Sequence, residues 1–265
     1  MVLALAACYN HEIHQVDVKN VFLNGKFEDN ETIHMRLPPG IEIMKEDGKV
    51  LKLSKLLYRL RQSARHWYSH LWRILCEGLC MKRCEVDQAA FYRCEEGNLI
   101  IIVAHIDDLT IITSSMELIE EVKGVLRKAF KILDMGEIHW ILGFSVERDR
   151  EKQTLSLSQM AYIKSILEKF GFENLRPYAV PMDPNTKLST ANSPKTAHDF
   201  AAMRDKPYRE VVGSTQYASC GTQLNITYIV NTLSIHQIHS MQCQWTPTQN
   251  HQPPTHLRQL MTSQP

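Results

Sequence analysis

Between Ile13 and Val18 the positions alternate, with His14, Val16 and Val18 on one face and Ile13, Gln15 and Asp17 on the other. That alternation predicts a strand with two different environments. From Lys55 to about Cys76 the apolar residues Leu56, Leu60, Ala64, Trp67, Leu71, Ile74 and Leu75 recur every three or four positions, the stripe of an amphipathic helix. Asn98 to Thr113 reads as a buried strand, an acidic turn at Asp107-Asp108 and a second strand through Thr110, Ile111 and Ile112, a hairpin with carboxylates at its tip. Ile119, Val122, Leu126 and Ala129 mark another amphipathic helix, and Trp140 to Val146 with Thr154 to Ser158 suggest a hairpin across the polar segment Glu147 to Gln153. Ser158 is placed to cap a helix that ends near Phe170, with Gly171 as its terminator.

The mixture of helix and strand favours an α+β fold. Pro177, Pro181, Pro184, Pro194 and Pro207 interrupt the following stretch, which predicts a connection over residues 173–207 after a first domain spanning 1–172. Helical segments near Tyr208 to Ser219 and Asn225 to His236 then make up a region 208–239, and the Gln-, Thr-, Pro- and His-rich tail at 240–265 has too few apolar residues to bury a core and is expected to be disordered.

Composition narrows the class. With 265 residues, 44% of them hydrophobic and 22% charged, a disordered or collagenous chain is excluded. The formal charge of +1 means that any nucleic-acid partner must be met by a local basic face. Seven cysteines fit reduced thiols better than a disulfide framework, so an intracellular compartment is expected. No apolar run reaches the roughly 18 residues of a membrane helix. Leu5-Ala6-Ala7-Cys8 imitates a lipoprotein cleavage site, but no Lys or Arg precedes it and the apolar stretch is short, so a helix running into the core is the simpler reading.

Asp17 lies on one strand, and Asp107 and Asp108 lie in a turn far along the chain, so a folded sheet is needed to bring them together. Converging carboxylates repel unless cations neutralise them, and oxygen-only sites with room for water and phosphates suit magnesium. Two such ions serve phosphoryl or nucleotidyl transfer. A solvated Asp-Asp turn is the bland alternative on spacing alone.

The segment Ile13-His14-Gln15-Val16-Asp17-Val18-Lys19-Asn20-Val21-Phe22-Leu23-Asn24-Gly25 resembles the first catalytic motif of copia-type retrotransposon reverse transcriptases, commonly written HQMDVKTAFLNG. Ile33 to Gly40, Leu51-Lys52-Leu53 and Leu57 to Trp67 resemble further segments of that family. Ile106-Asp107-Asp108 corresponds to its YVDD box, Leu142-Gly143-Phe144 to its FLGI strand, and Leu157-Ser158-Gln159 to LSQ, and the likeness continues through Tyr208, Val212-Gly213-Ser214 and Tyr217-Ala218. The resemblance implies a polymerase palm, an antiparallel sheet with helices on one face, and RNA-directed DNA polymerisation with Mg2+, or Mn2+ in its place. It implies that Asp17, Asp107 and Asp108 are catalytic metal ligands, that Phe22 is a gate against a ribose 2′-hydroxyl, and that Gln62 lines the nucleotide pocket. The implied partners are an RNA or DNA primer-template and deoxynucleoside triphosphates, with integrase and ribonuclease H regions flanking the chain in a polyprotein.

Arg59 replaces the family's Gly, Ala64 its Pro, His105 the Tyr of the box, and Leu224-Asn225 a Pro-Asp pair. Arg59 is expected to crowd a place where a small residue lets backbone approach the nucleotide. Only a short helix precedes Asp17, so the fingers are expected to be incomplete and the isolated chain to extend a primer poorly. The rival readings are an inactive transposon relic that at most binds nucleic acid, and a two-metal nuclease, which leaves Phe22 and Gln62 unexplained. Around Arg61 and Arg65, the residues Lys55, Arg59, Arg73, Lys82 and Arg83 are opposed only by Glu77 and interleaved with Trp67, Tyr68 and Trp72, a pattern that by itself reads as a solvated helix face and that the resemblance turns into a phosphate contact. Cys76, Cys80 and Cys84 could share a helix face but lack a fourth zinc ligand, and His236, His239, His251 and His256 belong to a polar tail.

Overall fold

The computed structural model describes residues 1–25, 27, 31–38, 50–175, 182, 196–204 and 206–244. Helix α1 (Val2–Cys8) leads into strand β1 (Glu12–Val18), a 3-10 turn at Val21–Asn24, and a small ribbon of β2 (His34–Met35) with β3 (Leu51–Lys52). Helix α2 (Arg61–Gly78), strands β4 (Lys82–Arg83), β5 (Ala90–Glu95), β6 (Asn98–His105) and β7 (Asp108–Thr113), helix α3 (Met116–Ala129) and strand β8 (Ile132–Glu137) follow. The six-stranded sheet has the order β4-β5-β6-β7-β1-β8 and is antiparallel at every junction. Strands β9 (Trp140–Ile141), β10 (Phe144–Asp149) and β11 (Thr154–Ser158) form a second sheet, and helices α4 (Met160–Phe170), α5 (Ala197–Arg204), α6 (Tyr208–Gly221) and α7 (Thr227–Gln244) complete the chain. This mixture of helix and antiparallel sheet is the expected α+β class. Among the described residues no helix is long and apolar enough to cross a membrane.

The chain divides into two compact units, one of Met1–Leu142 with Val146–Ser156 and one of Gly143–Ser145 with the described part of Leu157–Pro265. In the first, strand alternation sends Val16, Val18, Leu109, Ile111, Ile100, Ile102 and Phe91 to one face of the sheet. There they pack on Trp67, Leu71 and Leu75 of α2 and on Ile119, Val122 and Leu126 of α3. Leu71 is 1% exposed, so Leu71→Ala would leave a cavity between α2 and the sheet and cost about 2–5 kcal/mol. The opposite face buries Ile13 and Ile112 with Ala6 of α1, Ile138 and Val146 at one end. The start of the chain is thus a core helix, as the simpler reading of Leu5 to Cys8 has it.

Local backbone explains where the elements depart from the sequence pattern. The stripe predicted from Lys55 becomes helical only at Arg61, because Arg59 has a left-handed φ of +69° that no helix accommodates; Ser63 Oγ donates to the Leu57 carbonyl at 2.6 Å and fixes the entry. The hairpin turn is displaced by one residue. His105 pairs with Asp108, so the turn is Ile106-Asp107 and Asp108 opens β7. Left-handed values at Leu142 (+48°) and Gly143 (+80°) split the predicted Trp140–Val146 strand into β9 and β10. Strands β2, β3, β4, β5 and β8 have no counterpart in the pattern, although the apolar and aromatic run of β5 offers a signal for one.

In the second unit Ser158 Oγ accepts from the Met160 N–H at 3.2 Å, and Gly171 ends α4 at φ +70°, with the Phe172 N–H bonded to the Leu167 carbonyl at 2.8 Å. Gln159, 1% exposed, accepts from the Thr222 N–H at 3.0 Å and its hydroxyl at 2.9 Å, and donates to the Tyr217 carbonyl at 3.3 Å. A Cβ at Gly221 would fall on the Gln159 amide, so the Leu157-Ser158-Gln159 segment is a structural staple for α6. Most of the connection 173–207, including Pro177, Pro181, Pro184 and Pro194, lies outside the described residues, as do 245–265 with His251 and His256. Helix α7 runs to Gln244, past the expected start of the tail at 240.

Candidate active site

Antiparallel register places Asp17 of β1 directly opposite Asp108 of β7. Directly paired residues project to the same side, with Cα atoms about 4.5–5.5 Å apart. That side is the one without α2 and α3, since Val16 and Leu109, the next pair along, are buried under the helices. Asp107 is the second residue of the turn, and its carbonyl accepts from the Val18 N–H at 2.8 Å, which fastens the turn to the end of β1. The register and the turn therefore put all three aspartates at one end of the β1–β7 pair.

Their electrostatics are unfavourable as they stand. Burial pushes the Asp108 carboxyl above the ordinary carboxylate range, and the charges of Asp107 and Asp17 push it further, against the opposing influence of His105 and a long contact from Gln15 Nε2 at 3.5 Å. The countercharge on Asp17 is Lys19, whose Nζ stands 2.6 Å from Asp17 Oδ2. Among the described residues no three His, Cys, Asp or Glu side chains converge into a ready-made metal cluster. The donor set nonetheless fits magnesium, which takes one or two carboxylates and completes its shell with water and substrate phosphates.

Two anchors tie this end of the sheet to the helix side. Trp67 of α2 donates its indole N–H to the Ile106 carbonyl at 2.8 Å. Phe22, in the 3-10 turn that follows β1, packs against the core and meets Tyr58 edge-on, with ring centroids 4.8 Å apart. Gln62, Arg61 and Arg65 are exposed on the first turns of α2, and among the described residues no hydrogen bond or ion pair joins them to the three carboxylates or to any other acid. The structure places the three aspartates at one end of the sheet and leaves the α2 residues facing solvent. Lys19, Gln15 and Trp67 join the site although nothing in the sequence pattern marks them as site residues; the alternation that puts Gln15 beside Asp17 on one face is the available signal for the second of them.

The cysteines do not share a helix face. Helix α2 ends at Gly78, Cys80 lies beyond it at φ +52°, and Cys84 follows β4. Burial pushes the Cys76 thiol up, which keeps it protonated.

A family model described as reverse transcriptase (RNA-dependent DNA polymerase) matches residues 1–184. The chain is 36% identical over 233 residues to the retrovirus-related Pol polyprotein from transposon TNT 1-94 of Nicotiana tabacum, covering 88% of this chain and 17% of that protein. It is 31% identical over 234 residues to the Pol polyprotein from transposon RE1 of Arabidopsis thaliana, again over 88% of this chain and 15% of the relative. Against the transposon Ty1-ER2 Gag-Pol polyprotein of Saccharomyces cerevisiae it is 24% identical over 252 residues, 88% of this chain and 13% of the relative. The chain thus spans less than a fifth of the length of each.

Proposed function

The chain belongs to the reverse transcriptase (RNA-dependent DNA polymerase) family, in its copia-type branch, and on that premise we propose that its six-stranded sheet is a polymerase palm that serves RNA-directed DNA polymerisation. The observation that carries this reading is the β1–β7 register, which sets Asp17 against Asp108 on the face left free by the helices, with Asp107 in the adjoining turn. Asp17 and Asp107 would hold the divalent cation, with Asp108 bordering it. Magnesium, or manganese in its place, supplies charge neutralisation for the primer hydroxyl and the nucleotide α-phosphate when bound.

The chain's own residues do the positioning. Trp67 holds the turn that carries Asp107. Phe22, braced by Tyr58, presents a ring that a ribose 2′-hydroxyl would strike, and Gln62 lines the nucleotide pocket. Arg61 and Arg65, exposed and without acidic partners among the described residues, meet phosphates of the primer-template without reading bases. Ribonuclease H and integrase regions of a longer polyprotein are the proposed companions of this segment.

A second reading, a protein that binds nucleic acid without extending it, draws on Arg59 and His105, which stand where the family pattern has Gly and Tyr. Extension of a labelled primer on RNA and DNA templates in magnesium or manganese separates the two, with Asp107→Asn as the blank. Extension that the blank lacks establishes the polymerase; binding of primer-template with no extension establishes the second reading, and degradation of the primer would point to a nuclease.

A further inference from the structure

The first catalytic strand ends in an ion pair that the proposed chemistry does not use. Lys19 Nζ lies 2.6 Å from Asp17 Oδ2, with the lysine side chain 45% and the aspartate side chain 21% exposed. The backbone of Lys19 is held independently of its side chain: its N–H donates to the Lys131 carbonyl at 2.9 Å, and its carbonyl accepts from Asn24 Nδ2 at 3.2 Å. The ammonium is therefore free to swing on a fixed stem.

Resting on the polymerase reading, we propose that Lys19 is the countercharge of Asp17 and transfers to the phosphates of an incoming nucleoside triphosphate when a divalent cation binds that carboxylate. Three carboxylates at one end of the sheet need a countercharge, and the ammonium on Asp17 supplies it. A divalent cation on the Asp17 carboxylate would be repelled by the ammonium already in contact with it. The ammonium leaves, and the nearest new anion is the triphosphate that arrives with the metal. Lys19 thereby couples metal occupancy to nucleotide binding, and its removal moves the two affinities in opposite directions.

Two titrations test this. Binding of Mn2+ alone is followed by the electron paramagnetic resonance of free Mn2+, and binding of an α,β-imido deoxynucleoside triphosphate is measured in saturating Mg2+. Lys19→Met should bind Mn2+ about two- to fivefold tighter, the fold-change of a half-exposed ion pair, and the nucleotide about tenfold more weakly, with Lys19→Arg retaining the nucleotide affinity. Unchanged affinities in Lys19→Met, with Mn2+ binding that Asp17→Asn abolishes, overturn the role of Lys19 and leave the polymerase reading intact. Mn2+ binding that is the same in the parent and in Asp17→Asn removes the metal site itself, and the inference with it.

Discussion

The indole N–H of Trp67 reaches from α2 to the carbonyl of Ile106 at 2.8 Å, onto the turn between β6 and β7 that carries Asp107. Ile106 has a φ of +58°, the left-handed region that a β-branched side chain enters only at a cost of about 1–2 kcal/mol. The tight turn imposes it: with His105 paired to Asp108 only two residues connect the strands, and such turns require a positive φ at the first of them. Nor does burial offset the strain, since Ile106 is 54% exposed. The strained carbonyl is held by a tryptophan that is itself 4% exposed and packed edge-on against Phe130, with centroids 5.0 Å apart.

Two substitutions separate the strain from its anchor. Trp67→Phe keeps a ring against Phe130 but loses the donor, and should lower stability by about 1–3 kcal/mol in urea unfolding. Ile106→Gly relieves the left-handed backbone and, after the entropy of a freer unfolded chain, should raise stability by about 0.5–1 kcal/mol. A Trp67→Phe protein as stable as the parent would show that the indole bond holds nothing.

Arg59 is the same problem at the entry to α2. It stands where the family resemblance leads one to expect Gly, and its φ is +69° on an exposed side chain. The glycine is therefore explained by backbone conformation, a different cause from the crowding of a pocket that the sequence suggests. Arg59→Gly should stabilise the fold by about 1 kcal/mol, read as a higher urea midpoint with an unchanged slope. An equal or lower midpoint would mean that the arginine side chain makes a compensating contact.

What is legible in the sequence follows from which physical effects repeat. The stripe from Trp67 to Leu75 and the alternation from Ile13 to Val18 are periodic because each faces a single packed surface, and both elements form where expected. Asp17, Asp107 and Asp108 are legible as candidates, but their pairing is a matter of register between distant strands, which no local pattern encodes. Arg59, Ile106 and Leu142 adopt left-handed backbone without the glycine that would announce it, so the start of α2, the position of the turn and the break between β9 and β10 are all displaced from the pattern. Strand β8 escapes the pattern for another reason: it mixes exposed Leu133 and Met135 with Asp134, and a bulge opposite Gln15 and Val16 breaks its alternation.

Asp134 owes its place in that strand to Lys123. The Lys123 side chain is 3% exposed, and its Nζ lies 2.7 Å from Asp134 Oδ1 and 2.8 Å from His14 Nδ1. Although burial opposes it, the hydrogen bonds from Lys123 and the Gly136 N–H hold the Asp134 carboxyl below its ordinary 3.8. A carboxylate with a depressed folded pKa contributes stability above its unfolded value that is lost as pH falls through the folded one. Lys123→Met should therefore cost about 1–3 kcal/mol near neutrality, with the deficit shrinking below about pH 4. His14 is held below 6.5 first by burial and then by the Lys123 charge, so the same variant should raise its pKa in an NMR titration of the ring protons. A deficit independent of pH would assign Lys123 to packing alone.

The exposed arginines of α2 give the last test, because stability and binding should move in opposite directions. Arg61 is the first residue of the helix, where the positive end of the backbone dipole repels a cation, and neither an acidic residue in the first turn nor a side-chain cap relieves it. A fold selected for stability alone would place an acid there. Replacing Arg61 by Ala should accordingly raise stability by about 0.3–1 kcal/mol, an effect that fades in high salt. Arg65 lies one turn further on, exposed and away from the buried Ser63, Trp67 and Leu71 side of the helix, so its removal should leave stability almost unchanged. If both arginines meet phosphates, Arg61→Ala with Arg65→Ala should weaken binding to a fluorescent primer-template. The slope of log affinity against log salt should fall by about 1.8, at about 0.9 for each duplex phosphate that the protein no longer neutralises. Weaker binding with an unchanged slope would mean that the pair supports the interface by shape. An unchanged affinity together with higher stability would return both residues to the solvated face of α2.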